Sequence, residues 1–156
     1  MGIVIAVTSG KGGTGKTSVT GGGASCLARL GKRVLCIDMD IGLRNLDISL
    51  GLSDRALMDF SDVAEGRCPL VRAAVNHPDL PGLALLTAPM TLSPALTEEA
   101  VRRMLDTARS LYDYVLIDSP AGLGAGFRMA CCGADRAIVV STNDASSLRD
   151  AQRTVG

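Results

Sequence analysis

Ten residues close to the N-terminus, Ser9 to Ser18, read SGKGGTGKTS. Gly10, Gly15, Lys16 and Thr17 within them fit the spacing G-x-x-x-x-G-K-[ST]. Glycines at 10, 12, 13 and 15 let the backbone turn tightly, so that its N–H groups point inward at phosphate oxygens. A helix opening at Lys16 adds the positive potential of its N-terminus. Lys16 then reaches the β- and γ-phosphates of a nucleotide such as ATP, and the Thr17 hydroxyl suits Mg²⁺. The positions expected to contact nucleotide are Gly10, Lys11, Gly12, Gly13, Thr14, Gly15, Lys16, Thr17 and Ser18. The pattern alone also occurs in merely flexible glycine loops. Here an apolar, strand-like run, Gly2–Thr8, precedes it and a helical segment follows, which is the context phosphate binding requires. Lys11 is a second lysine in a loop that needs only one.

A phosphate loop needs acidic partners for its metal. CIDMD supplies Asp38 and Asp40, and VLIDSPAG supplies Asp118. Each follows an apolar run, which places it at the C-terminal edge of a strand, where parallel sheets bind ligands. Asp118 after YVLI has the position of a metal-supporting aspartate. One such residue alone reads equally well as a cap for the following loop. Three beside a phosphate loop point to the metal.

These residues are positioned by alternating elements. The apolar, β-branched runs Ile3–Val7, Arg33–Asp38, Leu83–Thr87, Tyr114–Asp118 and Ala137–Ser141 read as strands buried on both faces, hence a parallel sheet. Longer mixed segments between them read as helices. The clearest is Thr97–Ser110, with Thr97 as N-cap, Glu98 and Glu99 at the positive end of the dipole, and Val101, Leu105 and Ala108 on one face. Gly31 closes the helix before the second strand. The alternation predicts a doubly wound α/β fold, mostly parallel, with flanking helices. Asn76–Gly82 reads as a surface connection, and its His77 as a solvated loop residue.

Composition sets bounds. The chain has 156 residues, enough for one domain with a substantial core. Sixteen basic residues balance sixteen acidic ones, so no general attraction to nucleic acid is expected. Five cysteines with no C-x-x-C pair read as reduced thiols of a cytosolic protein, and the adjacent Cys131 and Cys132 as helix-packing residues rather than cluster ligands. No apolar run has the length of a membrane span.

KGGTGKT (Lys11–Thr17), with its early lysine, resembles the deviant Walker A motif of the MinD/ParA family of dimerising P-loop ATPases. Within that family IDMDIGLRNLDISLGL (Ile37–Leu52) resembles the septum-site members of the MinD type, as do EGRC (65–68), IDSPAG (117–122), GAD (133–135) and SSLRDAQR (146–153). The resemblance implies an ATPase that helps place the bacterial division septum, switching between a cytoplasmic monomer and an ATP-bound homodimer. It implies that Lys11 reaches across the dimer to the partner's phosphates, in the manner of an arginine finger. By the same resemblance, catalysis is expected of Lys11, Lys16 and Asp40, with Asp40 orienting the attacking water, and Mg²⁺ support of Asp38, Asp118 and Thr17. The resemblance also implies that Asn45 lies near the dimer interface and that Ser119, Pro120, Ala121 and Gly122 sense the γ-phosphate. Partners implied are a MinC-type division inhibitor and a MinE-type or equivalent regulator. Full-length members attach peripherally to the inner face of the cell membrane through a C-terminal amphipathic helix.

Two departures stand out. Gly21, Gly22 and Gly23 fall inside the helix after the phosphate loop, at a cost of roughly 1 kcal/mol each relative to alanine; close backbone packing is one possible compensation. The chain also stops early, so a C-terminally incomplete domain is expected, with the fifth predicted strand left as an edge. Other readings are a non-enzymatic nucleotide-binding fragment, a DNA-associated ParA-like partition ATPase, and a redox relative of the nitrogenase iron protein. The neutral charge and the IGLRNLD segment speak against the partition ATPase.

Overall fold

The computed structural model describes residues 1–9, 15–40, 46–52, 58–91, 94, 96–120 and 125–140. In chain order the elements are β1 (Ile3–Thr8), α1 (Lys16–Arg29), β2 (Val34–Asp38), α2 (Leu46–Ser49), α3 (Phe60–Ala64), α4 (Leu70–Ala73), β3 (Val75–Asn76), β4 (Leu83–Leu86), α5 (Glu98–Leu111), β5 (Tyr114–Asp118), α6 (Ala125–Cys131) and β6 (Arg136–Val139). Among the described residues the strands form one sheet in the order β3-β4-β2-β5-β1-β6. All neighbours run parallel except β3, which pairs antiparallel with β4.

The register places the functional edge. β5 pairs with β2 so that Asp38 faces Asp118, and with β1 so that Val7 faces Asp118. Three strand ends therefore finish in one row. Successive strand side chains point to opposite faces, and the core divides accordingly. Leu35, Ile37, Val115 and Ile117 pack with Val101, Met104, Leu105 and Ala108 of α5. Val34, Cys36, Leu85 and Leu116 pack with Ala24 and Ala28 of α1. Helices thus cover both faces, as the alternation of elements predicts, and the sheet is clamped from both sides behind the row of strand ends.

α5 follows its sequence closely. Thr97 Oγ1 accepts from the Ala100 N–H at 3.1 Å, Glu98 and Glu99 occupy the first turn, and Ala100, Val101, Met104, Leu105 and Ala108 are buried. Burying a leucine such as Leu105 completely contributes about 1.5–3 kcal/mol.

Three expectations need correction. Asn76 is part of β3 rather than of a loop; the hairpin continues in the Leu83 carbonyl, which accepts from His77 N at 2.9 Å. The run Ala137–Ser141 is read as buried on both faces; β6 starts at Arg136 and forms an edge of the described sheet, as expected of the last predicted strand, but Arg136, Ala137 and Ile138 are exposed. An apolar run records strand propensity and not its place in the sheet. Finally, close packing does not offset the glycines of α1 at Gly22 and Gly23. Both are exposed; a Cβ at Gly22 would meet nothing within 4 Å, and one at Gly23 only the tip of Leu116, at 4.0 Å.

The cysteines are free thiols. Cys36 is buried in the core beside α1, and Cys131 and Cys132 are half-buried at the end of α6, where the Cys132 thiol donates to the Met129 carbonyl.

Candidate functional site

β1 carries the chain to the C-terminal edge of the sheet, and α1 begins at Lys16 after Gly15, whose φ of 83° lies in the left-handed region that glycine enters freely. Among the described residues no side chain caps this helix. Its first N–H groups have no intrahelical partner, and the macrodipole concentrates positive potential there. An anion is the natural complement.

Lys16 is only 7% exposed although it is the first helical residue. Its ammonium donates to Asp118 Oδ1 at 2.7 Å and lies 3.9 Å from Asp40 Oδ2. The Thr17 hydroxyl donates to Asp118 Oδ2 at 2.9 Å. Asp118, at 1% exposure, thus uses one oxygen for each of the two α1 residues expected to hold phosphate and metal. Ser18 follows, exposed, in the first turn.

Asp38 is oriented differently. Its Oδ1 accepts from Asp40 N at 2.9 Å and its Oδ2 from Leu46 N at 3.3 Å, so it ties the chain after β2 back to the sheet. Burial pushes its carboxyl up to about 7; the two N–H donors oppose that shift, and the charges of Asp118 and Asp40 add to it. Asp40 is also raised, by burial first, with Lys16 pulling it down and Asp118 pushing it up. Two carboxylates, Asp118 and Asp40, therefore share the Lys16 ammonium, while Asp38 sits beside both without a lysine contact of its own.

The donors suit Mg²⁺ arriving with a nucleotide. Thr17 and Asp118 offer hard oxygens within hydrogen-bond reach of each other, and Mg²⁺ commonly takes one or two protein oxygens together with phosphates and water. A resident metal fits less well: among the described residues no group of three or more His, Cys, Asp or Glu side chains is arranged to hold one.

Ser119 follows β5 and is buried. Its N–H and hydroxyl both donate to the Val7 carbonyl, at 3.1 and 2.8 Å. Pro120 is half-buried and touches α6; a Cβ on Gly126 would stand 2.9 Å from Pro120 Cγ. The structure thus brings together Gly15, Lys16, Thr17, Asp38, Asp40, Asp118, Ser119 and Pro120. Gly10, Lys11, Gly12, Gly13, Thr14, Asn45, Ala121 and Gly122 lie outside the described residues. Sequence reasoning passed over Thr8, a buried polar residue ending an otherwise apolar strand. A cavity of about 530 Å³ lined by Met58, Arg67, Cys68, Arg72 and Val75 lies beside β3, four strands away from β1.

A mostly parallel sheet flanked by helices, with a glycine-rich strand-to-helix turn after β1, is the P-loop NTPase fold, and the chain belongs to the family described as AAA domain, whose model matches residues 2–154. Within that breadth its resemblances are narrow. It is similar to the septum site-determining protein MinD of Bacillus subtilis, at 44% identity over 158 residues, covering 100% of this chain and 59% of that protein. Among solved structures it is similar to the MinC:MinD cell division protein complex of Aquifex aeolicus, with a TM-score of 0.90 and 44% identity over 99% of this chain and 62% of that one. MinD of Pyrococcus horikoshii complexed with Mg-ADP gives a TM-score of 0.86 at 29% identity, over 99% of this chain and 64% of that one. The chain therefore spans about three-fifths of the length of these relatives.

Proposed function

We propose that this chain is the nucleotide-binding part of a MinD-type ATPase, and that residues 1–156 act as one ATPase unit whose cycle serves placement of the division septum. The observation carrying this reading is the convergence of Lys16 and Thr17 on Asp118 at the end of β5. Family membership over residues 2–154 and the Mg-ADP bound to the Pyrococcus relative support ATP and Mg²⁺ as ligands.

Lys16 leaves Asp118 and binds the β- and γ-phosphates, while the uncapped N-terminus of α1 and the Gly10–Gly15 backbone cradle them. Thr17 and Asp118 hold Mg²⁺, with Asp38 supporting them; bound there, the ion neutralises charge on the phosphate oxygens. Asp40 orients water in line with the γ-phosphate. Lys11 acts on the nucleotide of a second copy, so hydrolysis belongs to an ATP-dependent homodimer, with Asn45 near its interface. Ser119, Pro120, Ala121 and Gly122 respond to the γ-phosphate. Hydrolysis then proceeds through positioning and charge neutralisation.

The Aquifex complex supports a MinC-type partner, and a MinE-type regulator belongs to the same reading. Among the described residues no helix is long and apolar enough to cross a membrane. Membrane attachment in this reading is peripheral, and nucleic acid plays no part.

Calorimetric titration with Mg²⁺-ATP tests the proposal. The chain binds, and Lys16→Ala loses most of the affinity. Equal affinity in parent and variant sinks the phosphate-loop assignment.

A further inference from the structure

The cavity beside β3 has an architecture of its own. Its volume of about 530 Å³ falls within the roughly 300–1,000 Å³ of small-molecule sites. Two parts of its wall are fixed independently. In the first, Gly66 turns the chain out of α3 with a φ of 82°, and Arg67 is then held by two acids. Its Nε donates to Asp62 Oδ1 at 2.9 Å, and its Nη1 donates to Glu65. Asp62 is itself locked into the cap of α3, where it accepts from Asp59 N at 3.0 Å. In the second, Val75 pairs with Leu85 of β4, and Ala73 just before it is buried in the core. Met58 also lines the cavity, 43% exposed, while its carbonyl accepts from Thr87 Oγ1 at 3.2 Å. Walls of clasped side chains and paired backbone leave little ordering for a ligand to impose.

The two arginines of the cavity differ in how far their charge is already satisfied. Arg67 has two carboxylates. Arg72 is exposed and lines the cavity, and among the described residues its guanidinium has neither an ion pair nor a hydrogen bond. A guanidinium presents a planar fork of donors that matches a carboxylate or a phosphate. Asp62 and Glu65 stand beside Arg67 and repel a dianion more than a monoanion, which favours the carboxylate. Much of the remaining lining is apolar.

We propose that this cavity binds a small monocarboxylate with an apolar body, its carboxylate on Arg72 and its hydrocarbon against Met58, Pro69 and Val75. Burial of the hydrocarbon supplies most of the affinity, and Arg72 selects for charge. Arg67 serves as wall rather than anchor. The Cys68 thiol lies within the same cavity, so an occupant covers it. The site stands apart from the nucleotide reading, because β3 is four strands away from β1.

Hexanoate, butanoate, hexan-1-ol and inorganic phosphate serve as probes on the whole chain. Alkylation of Cys68 by iodoacetamide is followed by mass spectrometry, with the exposed Cys26 of α1 as internal reference. The Val75 methyl resonances are followed by NMR. Hexanoate is expected to slow alkylation at Cys68 but not at Cys26, and to shift the Val75 methyls. Butanoate, two methylenes shorter, should bind about tenfold more weakly. Hexan-1-ol should bind about fivefold more weakly than hexanoate, the upper range for an exposed ion pair. Arg72→Gln should lower hexanoate binding to the level of the alcohol, with alcohol binding and melting temperature unchanged. Equal binding of hexanoate and hexan-1-ol to the parent overturns the role of Arg72, and this comparison decides whether or not the variant folds. Undiminished hexanoate binding by a folded Arg72→Gln chain overturns it as well. Phosphate that protects Cys68 as strongly as hexanoate overturns the apolar part of the assignment. Neither protection nor methyl shift by hexanoate overturns the site itself.

Discussion

Replacing Lys16 with methionine should destabilise the nucleotide-free chain, and by an amount that depends on pH. The ammonium lies 2.7 Å from Asp118 Oδ1 and 3.9 Å from Asp40 Oδ2 at 7% exposure. With an effective dielectric constant of about 20, the two attractions are about 6 and about 4 kcal/mol. The full sum is never lost, because carboxylates stranded without a cation take up a proton. Holding a proton on a carboxyl of ordinary pKa, about 3.9, costs about 4 kcal/mol at pH 7 and about 1.5 kcal/mol at pH 5. The pH 7 figure agrees with the roughly 3–5 kcal/mol typical for breaking a buried ion pair from one side. The sign follows from linkage. A carboxyl raised in the folded variant leaves stability intact below its unfolded pKa and removes it as pH rises toward the folded value. Urea unfolding followed by circular dichroism, parent against variant at both pH values, measures the difference. Lys16→Met with Asp118→Asn should recover most of the loss at pH 7. A penalty under about 1 kcal/mol, or one equal at the two pH values, would refute the buried pair as the origin.

Gly22→Ala and Gly23→Ala should each stabilise the chain by about 1 kcal/mol, because both are helical, exposed and free of close neighbours at the new Cβ. Differential scanning calorimetry should show a rise of about 2–4 °C for each, and a fall would mean that another surface requires the bare backbone. Asp38 yields a pH prediction: with a folded pKa near 7, well above its ordinary value, it adds stability that is complete below about pH 4 and fades as pH climbs to 7. The urea midpoint of the nucleotide-free parent should therefore fall between pH 5 and pH 8, with Asp38→Asn flattening the slope; a flat parent profile contradicts the buried carboxyl.

Much of this site could be read from the chain because the relevant signals are local. Lys16 and Thr17 sit at fixed offsets from Gly10, and an aspartate ending an apolar run falls at the C-terminal edge of a parallel strand whichever neighbours it has. What could not be read depends on distant contacts. That Lys16 rests on Asp118 joins residues 102 apart. β3 has two residues and no apolar run, and it is a strand only because β4 pairs with it. The exposure of β6 has no counterpart in its composition, since Ala137–Val139 is as apolar as the central strands. Asp38 has the same sequence context as Asp118, yet its oxygens hold backbone N–H groups instead of a lysine, a difference set by how the chain turns after β2.

The position of β1 between β5 and β6 also has a consequence for synthesis. Both neighbours follow it by more than a hundred residues: Ile3 pairs with Tyr114, and Ile5 with Arg136. At about 5–20 residues per second, the first strand leaves the ribosome many seconds before either neighbour exists. During that interval its apolar side chains and both backbone edges stay available to other chains and to chaperones. β2 can pair with β4 much sooner, as Val34 waits only for Leu83. β1 is therefore made well before its neighbours and housed late, and Lys16 meets Asp118 only once nearly the whole described sheet has been translated.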